Sequence, residues 1–405
     1  MSSNLITADN GVSSGVTGIT QSAGSDGTLQ LRTTSSGGSA VTALTLNNSQ
    51  QATFANTINV PNTFGFKNRI INGAMVIDQR DAGASITPTT SNTYCVDRWS
   101  NYISQSSKYS IQQNAGSVTP PVGFSNYLGV TSLSAYSVGA SDYFLLIQNI
   151  EGYNIADLGW GTANAKTVTL SFQVYSSLTG TFGGALKGAS GTVYSYPFTY
   201  SISSANTWTT ISITILGPTS GTWTSNNTTG IQLSLGLGAG SSYAGAAGSW
   251  QSGSYYSATG AVSVVGTNGA TFYITGVQLE VGTQATSFDY RPYGTELALC
   301  QRYYYSFYAG DTIGYSINTT LAVVGIPLPS TMRVGPSSLT ITPSNFNYFN
   351  GSNSLTVPSA IGLDAYTITY VGLVVTTTGL TAGQGGRLAS LGTTPSYSVG
   401  LSAEL

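Results

Sequence analysis

Apolar residues fall on every second position along several stretches of the chain. Val168, Leu170, Phe172 and Val174 form one run, Ile211, Ile213 and Ile215 a second, and Ile231, Leu233, Leu235 and Leu237 a third. A period of two turns one face of a strand toward a core and the other away from it. Turn-forming clusters separate the runs, among them Gly217-Pro218-Thr219-Ser220-Gly221 and Asn226-Asn227. Many strands joined by such loops predict a jelly-roll-like β-sandwich over residues 66–293. All five tryptophans (Trp99, Trp160, Trp208, Trp223, Trp250) lie within it. The strand from Phe272 to Val281 carries Gly276 at its middle, which marks a bulge or a close backbone approach.

The flanks read differently. Residues 1–20 are polar and rich in Gly and Ser, with the turn Asp9-Asn10-Gly11, so their ordering needs a partner surface. In residues 21–65, Leu29 and Leu31 alternate in one short strand and Leu44 and Leu46 in a second, across the turn Ser36-Gly37-Gly38. Phe54, Ile58 and Val60 continue the alternation until Pro61 stops it. A single copy has too little apolar mass to fold alone. Three copies around an axis bury those faces against one another, which is the logic of a β shaft. Residues 294–308 hold the one helix the pattern predicts, with Thr295 as its cap, Glu296 at its positive end and Leu297, Leu299 and Cys300 apolar. Residues 309–405 read as a β tip domain, with strands over Leu321–Val324, Leu339–Ile341, Tyr366–Tyr370 and Leu373–Val375.

Composition narrows the function. Only 6% of the 405 residues are charged and none is histidine, against 40% hydrophobic residues and 50 glycines; about 25% charge is usual. Proton-transfer chemistry is poorly served by such a chain. A net charge of −2 gives no handle on nucleic acid. No apolar run is long enough to span a membrane, so membrane insertion is not expected. No basic segment followed by an apolar stretch opens the chain, so no secretory signal is expected, and an extracellular location requires another route, such as assembly into a particle released by lysis. Scarce helix formers and abundant β-branched and aromatic residues make the fold class all-β. Cys95 and Cys300 read as two buried thiols rather than a disulfide. Without histidine or a cysteine cluster a zinc site has no ligands, and no metal or cofactor is assigned. A calcium site built from Asp and backbone carbonyls stays open, with no particular ligands indicated.

Three stretches carry a family resemblance. The first is Asn68-Arg69-Ile70-Ile71-Asn72-Gly73-Ala74-Met75-Val76-Ile77-Asp78-Gln79-Arg80, followed by Val96-Asp97-Arg98-Trp99. The second runs from Ile274 to Tyr305 and contains Gly276-Val277-Gln278-Leu279-Glu280-Val281-Gly282 and Phe288-Asp289-Tyr290-Arg291-Pro292-Tyr293-Gly294. The third is Leu29-Gln30-Leu31-Arg32-Thr33-Thr34 with Ala43-Leu44-Thr45-Leu46. Together they resemble the tail-fibre and receptor-binding proteins of tailed bacteriophages, over most of residues 21–305. The resemblance implies a homotrimeric fibre in the virion, assembled in the host cytoplasm. Its N-terminal end would dock on tail, baseplate or other virion proteins, and its C-terminal half would meet a host surface glycan. A tailspike depolymerase and a head fibre, decoration or baseplate component are the alternatives.

Candidate sites follow from the chemistry of sugars, which present C–H faces to aromatic rings and hydroxyls to neutral donors and acceptors. In the tip, Phe346, Asn347, Tyr348, Phe349 and Asn350 form one such set, expected on a loop from 346 to 354. In the sandwich, Tyr243, Trp250, Tyr255 and Tyr256 form another within a Gly/Ser-rich stretch. For each aromatic the alternative is burial in a core or a trimer axis. Asp97 with Arg98, and Asp289 with Arg291, are expected as structural ion pairs. Asp78 and Asp81 come nearest to a glycosidase pair, but Arg80 between them serves to neutralise them, and no catalytic residue is assigned.

Overall fold

The computed structural model describes residues 20–23, 29–34, 40–46, 52–54, 66–191, 193–310, 312–351, 355–392 and 398–405. The chain divides into two units, Met1–Thr63 and Phe64–Leu405. In the first, Thr20–Ala23, Leu29–Thr34, Ala40–Leu46 and Ala52–Phe54 form an antiparallel sheet in chain order. Register places Leu29 opposite Leu46 and Leu31 opposite Leu44, so the four leucines share a face, and all four stay half-exposed. The expected attachment segment lies, apart from Thr20, outside the described residues, as do Ile58, Val60 and Pro61.

In the second unit the period-two runs become the strands of a sandwich. One sheet has six strands in the order Gln251–Ser252, Tyr194–Ile202, Gly180–Gly188, Thr229–Ala239, Tyr143–Glu151 and Ser100–Ile103. The other has five, in the order Thr209–Ile215, Val168–Ser176, Thr271–Val281, Leu128–Ser132 and Tyr109–Gln113. The chain repeatedly crosses from one sheet to the other, as in a jelly roll. Leu170, Phe172 and Val174 point inward from the five-stranded sheet. They belong to the same core as Phe144, Leu146, Phe182, Leu186, Leu233 and Leu235 of the six-stranded one. Gly276 does mark a bulge. Its φ is +62°, the register shifts between Thr275 and Gln278, and the ring of Phe124 fills the space a Cβ would need.

The helix spans Tyr293–Gln301. Pro292 occupies its N-cap, so Thr295 lies inside the first turn and does not cap it; its N–H donates to the Pro292 carbonyl at 2.9 Å. Beyond it the tip has a seven-stranded sheet, ordered Leu355–Thr356, Phe346–Asn350, Gly385–Ser390, Thr312–Ser316, Leu321–Pro327, Tyr370–Thr376 and Ala360–Tyr366. A three-stranded sheet joins Tyr304–Tyr308, Ser398–Ser402 and Ser338–Thr340. The strand expected over Tyr366–Tyr370 is instead the turn of a hairpin, closed by the Thr367 N–H on the Tyr370 carbonyl at 2.8 Å. The alternating Tyr366, Ile368 and Tyr370 that suggested it are exposed and belong to no core.

Buried charge joins sandwich and tip. The Glu404 side chain, 8% exposed, is held by Arg98, itself 2% exposed, and by Arg80 at 2.8 Å. The Arg98 guanidinium lies 3.6 Å from the Tyr303 ring centroid, and that of Arg80 lies 3.5 Å from the Tyr304 ring centroid. Arg302 grips Glu151 with two nitrogens at 2.6 and 2.9 Å. Burial opposes ionisation of Glu151, but its hydrogen bonds from Arg302 and Tyr303 and the guanidinium charge prevail, and its carboxyl sits below its ordinary pKa. Arg333 donates to the backbone carbonyls of Asn227, Ala403 and Glu404.

The expected ion pairs therefore take other partners. Arg98 pairs with Glu404 and not with Asp97, because neighbouring residues aim their side chains apart and Arg98 has the left-handed φ of +71°. Asp97 is fully buried, accepts the Gln79 N–H at 2.8 Å and lies 3.9 Å from Arg80; burial pushes its carboxyl up to about 7. Arg291 pairs with Glu296 at 3.2 Å, while Asp289 accepts the Asn68 N–H at 3.2 Å. Both cysteines are buried free thiols. Among the described residues no helix is long and apolar enough to cross a membrane, and no cluster of three potential metal ligands occurs.

Replacing Glu404 with Ala leaves the buried Arg98 guanidinium without its carboxylate and the half-buried Arg80 with only Asp97, 3.9 Å away. We expect a loss of about 3–5 kcal/mol of stability by chemical denaturation. A loss below about 1 kcal/mol would show that the contact does not hold the tip in place.

Candidate binding groove

Strand alternation also decides what faces away from the sandwich core. In Thr229–Ala239 the inward positions are Ile231, Leu233, Leu235 and Leu237, which turns Gln232 and Ser234 outward. Register places Gln232 opposite Asn149 on one neighbouring strand and opposite Lys187 on the other. A polar row, Asn149–Gln232–Lys187, thus crosses the outer face of the six-stranded sheet. The Gln232 amide donates to Asn149 Oδ1 at 2.9 Å, and the Asn149 amide donates to the Leu405 carbonyl at 3.1 Å. Gln232 Oε1 is buried without a hydrogen-bond partner.

Tyrosines stand beside this row. Tyr102 stacks on Tyr143 with centroids 4.9 Å apart and meets the edge of Tyr256 at 5.7 Å; Tyr243 packs against Tyr143 at 5.0 Å. The segment carrying Tyr243 and Tyr256 lies over part of the sheet and is pinned there by the Ser234 hydroxyl donating to the Tyr256 carbonyl at 2.7 Å. What it leaves open is a groove of about 290 Å³, lined by Asn92, Tyr102, Asn149, Lys187, Gln232 and Tyr256 among others. Among the described residues no Asp or Glu side chain lines it, and Leu405 stands in its wall. The Lys187 ammonium donates to the Ser254 hydroxyl at 3.3 Å and lies 4.3 Å from the Tyr256 ring centroid. Burial lowers its pKa to about 8. Aromatic faces beside amides and one ammonium suit a ligand with C–H surfaces and hydroxyls.

The other expected site residues lie elsewhere. Phe346 to Asn350 are a strand, not an outward loop. Phe346 and Tyr348 are 0% exposed in the tip core with Leu388, because alternate side chains of this strand turn inward. Asn347 and Asn350 are buried too, and Phe349 lies under the Arg387 guanidinium at 4.4 Å. That set offers no open face; residues 352–354 are outside the described residues. Trp250 belongs to an aromatic plug with Trp160 and Trp223 and donates its indole N–H to the Leu216 carbonyl at 2.7 Å. Tyr255 packs over Gly245 and Gly253. Of the tyrosines singled out by the sequence, Tyr256 lines the groove and Tyr243 supports it. Tyr102, Asn149, Lys187 and Gln232 were missed, although polar residues between apolar neighbours, as in Ile231-Gln232-Leu233, were a usable signal.

Asp78 and Asp81 do not face each other across a cleft. Asp78 accepts the backbone N–H groups of Arg80, Asp81 and Gly83, which ties up a loop. Burial, helped by the Asp78 charge, pushes the Asp81 carboxyl up to about 6. A larger hollow, about 450 Å³, opens beside Phe124, Phe288 and Tyr290; its charged residues, Arg291 and Glu296, pair with each other.

No family model matches the chain, and no curated protein matches it. Among solved structures, the enzymatically active domain of bacteriophage CBA120 tailspike protein 4 is similar at a TM-score of 0.31 and 11% identity. The match covers 53% of this chain and 22% of that one, so this chain spans about a fifth of that structure's length. A putative sugar binding protein from Bacteroides thetaiotaomicron matches at a TM-score of 0.29 and 10% identity, over 53% of this chain and 100% of that one. A family 11 carbohydrate-binding module from Clostridium thermocellum matches at 0.25 and 10% identity, over 50% and 97%. Likenesses this distant carry no argument about the ligand.

The state of the half-buried Lys187 ammonium is directly measurable. After reductive ¹³C-methylation, the Lys187 signal, assigned by its loss in Lys187→Arg, should titrate with a midpoint near 8. Above that pH the groove loses its positive charge. A midpoint at the ordinary lysine value of 10.5 would mean that the groove is wetter than its walls indicate.

Proposed function

We propose that this chain is a carbohydrate-binding attachment protein of a bacteriophage virion, a tail fibre that adsorbs to a glycan on the host surface. The observation that carries the proposal is the groove, where Tyr102 and Tyr256 stand beside the row Asn149–Gln232–Lys187. It acts by adhesion, without bond cleavage. Residues 1–20 dock on a virion protein and residues 21–65 form a spacer. The functional particle is a homotrimer. In support, the four leucines of the first unit share a face that one four-stranded sheet leaves half-exposed. Three copies of a weak site on one stem give strong attachment through effective concentration.

Binding of the purified protein to immobilised host polysaccharide tests the groove. Tyr102→Ala should weaken it roughly tenfold through the lost aromatic face, whereas Trp208→Ala, on the five-stranded sheet, should not. Equal binding by Tyr102→Ala and the unaltered protein would remove the groove from the mechanism. Steady release of reducing ends during the same incubation would replace adhesion with depolymerisation.

Sedimentation equilibrium tests the assembly. The mass should be three times the 41.8 kDa of one chain. A single-chain mass would reject the trimer.

A further inference from the structure

Lys187, half-buried in the groove wall, lacks the carboxylate partner that several arginines of this unit have. Arg98 has Glu404, Arg291 has Glu296, Arg302 has Glu151, and Arg80 has Glu404 with Asp97 nearby. Among the described residues no carboxylate pairs with Lys187. Its neighbours are a hydroxyl, Ser254, and a ring face, Tyr256. The depression of its pKa has burial as its only cause, with no charge nearby to offset it. Removing an ammonium from water without an anion is costly, and a fold normally avoids it by pairing or by exposure. An ammonium has three N–H donors, and Ser254 takes one. One strand away, Gln232 Oε1 lacks a donor.

We propose that the groove selects an acidic glycan, with a sugar carboxylate seated on Lys187 Nζ and the C–H face of the same chain of sugars on Tyr102 and Tyr256. This rests on the reading of the groove as a glycan site and names the class of glycan. A carboxylate matches one point-like ammonium in charge, and among the described residues no Asp or Glu side chain lines the groove. Neutral sugars would leave the ammonium unpaired, so they bind less well.

The test uses the full-length protein and three uronate polymers, hyaluronate, alginate and polygalacturonate, each immobilised at physiological salt in its native and its carboxyl-reduced form. We expect binding to at least one native polymer, about tenfold or more weaker after carboxyl reduction and by a similar factor in Lys187→Gln. Lys187→Arg should retain part of the affinity. Because Lys187→Gln removes a half-buried charge that has no carboxylate partner, its thermal unfolding midpoint should not fall, which separates lost binding from lost folding. Equal binding of native and reduced polymers, sensitive to Tyr102→Ala, would overturn the acidic assignment and leave the groove as a neutral-glycan site. Binding that needs Lys187 but survives carboxyl reduction would overturn it in favour of a sulfate or phosphate. No binding to either form of any polymer would count against the glycan reading as a whole.

Discussion

The carboxylate of Glu404, enclosed by the guanidinium groups of Arg80 and Arg98, is the contact on which the second unit depends. Its two cations come from the loop that leads into the sandwich, and it comes from the segment that follows the last tip strand, Ser398–Ser402. Each of those charges is too costly to bury alone. Together with the Tyr303 and Tyr304 rings and the carbonyls that Arg333 reaches, they form a network that is stable only when sandwich and tip are in register. The same closure positions Leu405, whose carbonyl holds the Asn149 amide at the end of the polar row. The geometry of the groove is in that sense a consequence of the junction.

Much of the fold was legible because a period of two is a local signal. The runs at 168–174, 211–215 and 231–237 became sandwich strands with the expected faces inward, and Gly276 became a bulge. What was not legible depended on contacts distant in sequence. Arg98 finds a carboxylate 306 positions away, so no window around Asp97-Arg98 could reveal its partner. Phe346 to Asn350 has the composition of an exposed recognition loop, yet its alternation is that of a core strand, and burial won because Leu388 and its neighbours supply a partner face. Tyr366, Ile368 and Tyr370 show the converse, an alternation that ends on the surface.

The groove was half legible for the same reason. Tyr243 and Tyr256 stood out as aromatics in a Gly/Ser-rich segment. Their supports, Tyr102 and Tyr143, sit on strands that the alternation had not singled out, and the ring contacts that join them to Tyr243 and Tyr256 span a hundred positions or more. Lys187, Gln232 and Asn149 are adjacent only because three strands align in register, which no single strand encodes.

Size alone would direct attention to the hollow beside Phe124, yet chemistry favours the smaller groove. The hollow has its charges neutralised internally by Arg291 and Glu296, and the Tyr290 hydroxyl is committed to the Gly123 carbonyl at 2.6 Å. A ligand entering it would gain apolar contact but little directional recognition. The groove has the opposite balance, with an acceptor that lacks a donor and an ammonium that lacks an anion. The half-buried Lys187 has a hydroxyl and a ring face for neighbours but, among the described residues, no carboxylate. Under the proposed glycan reading, a ligand carrying an anion would supply the partner that Lys187 lacks, and a neutral one would not, which is how the groove would discriminate.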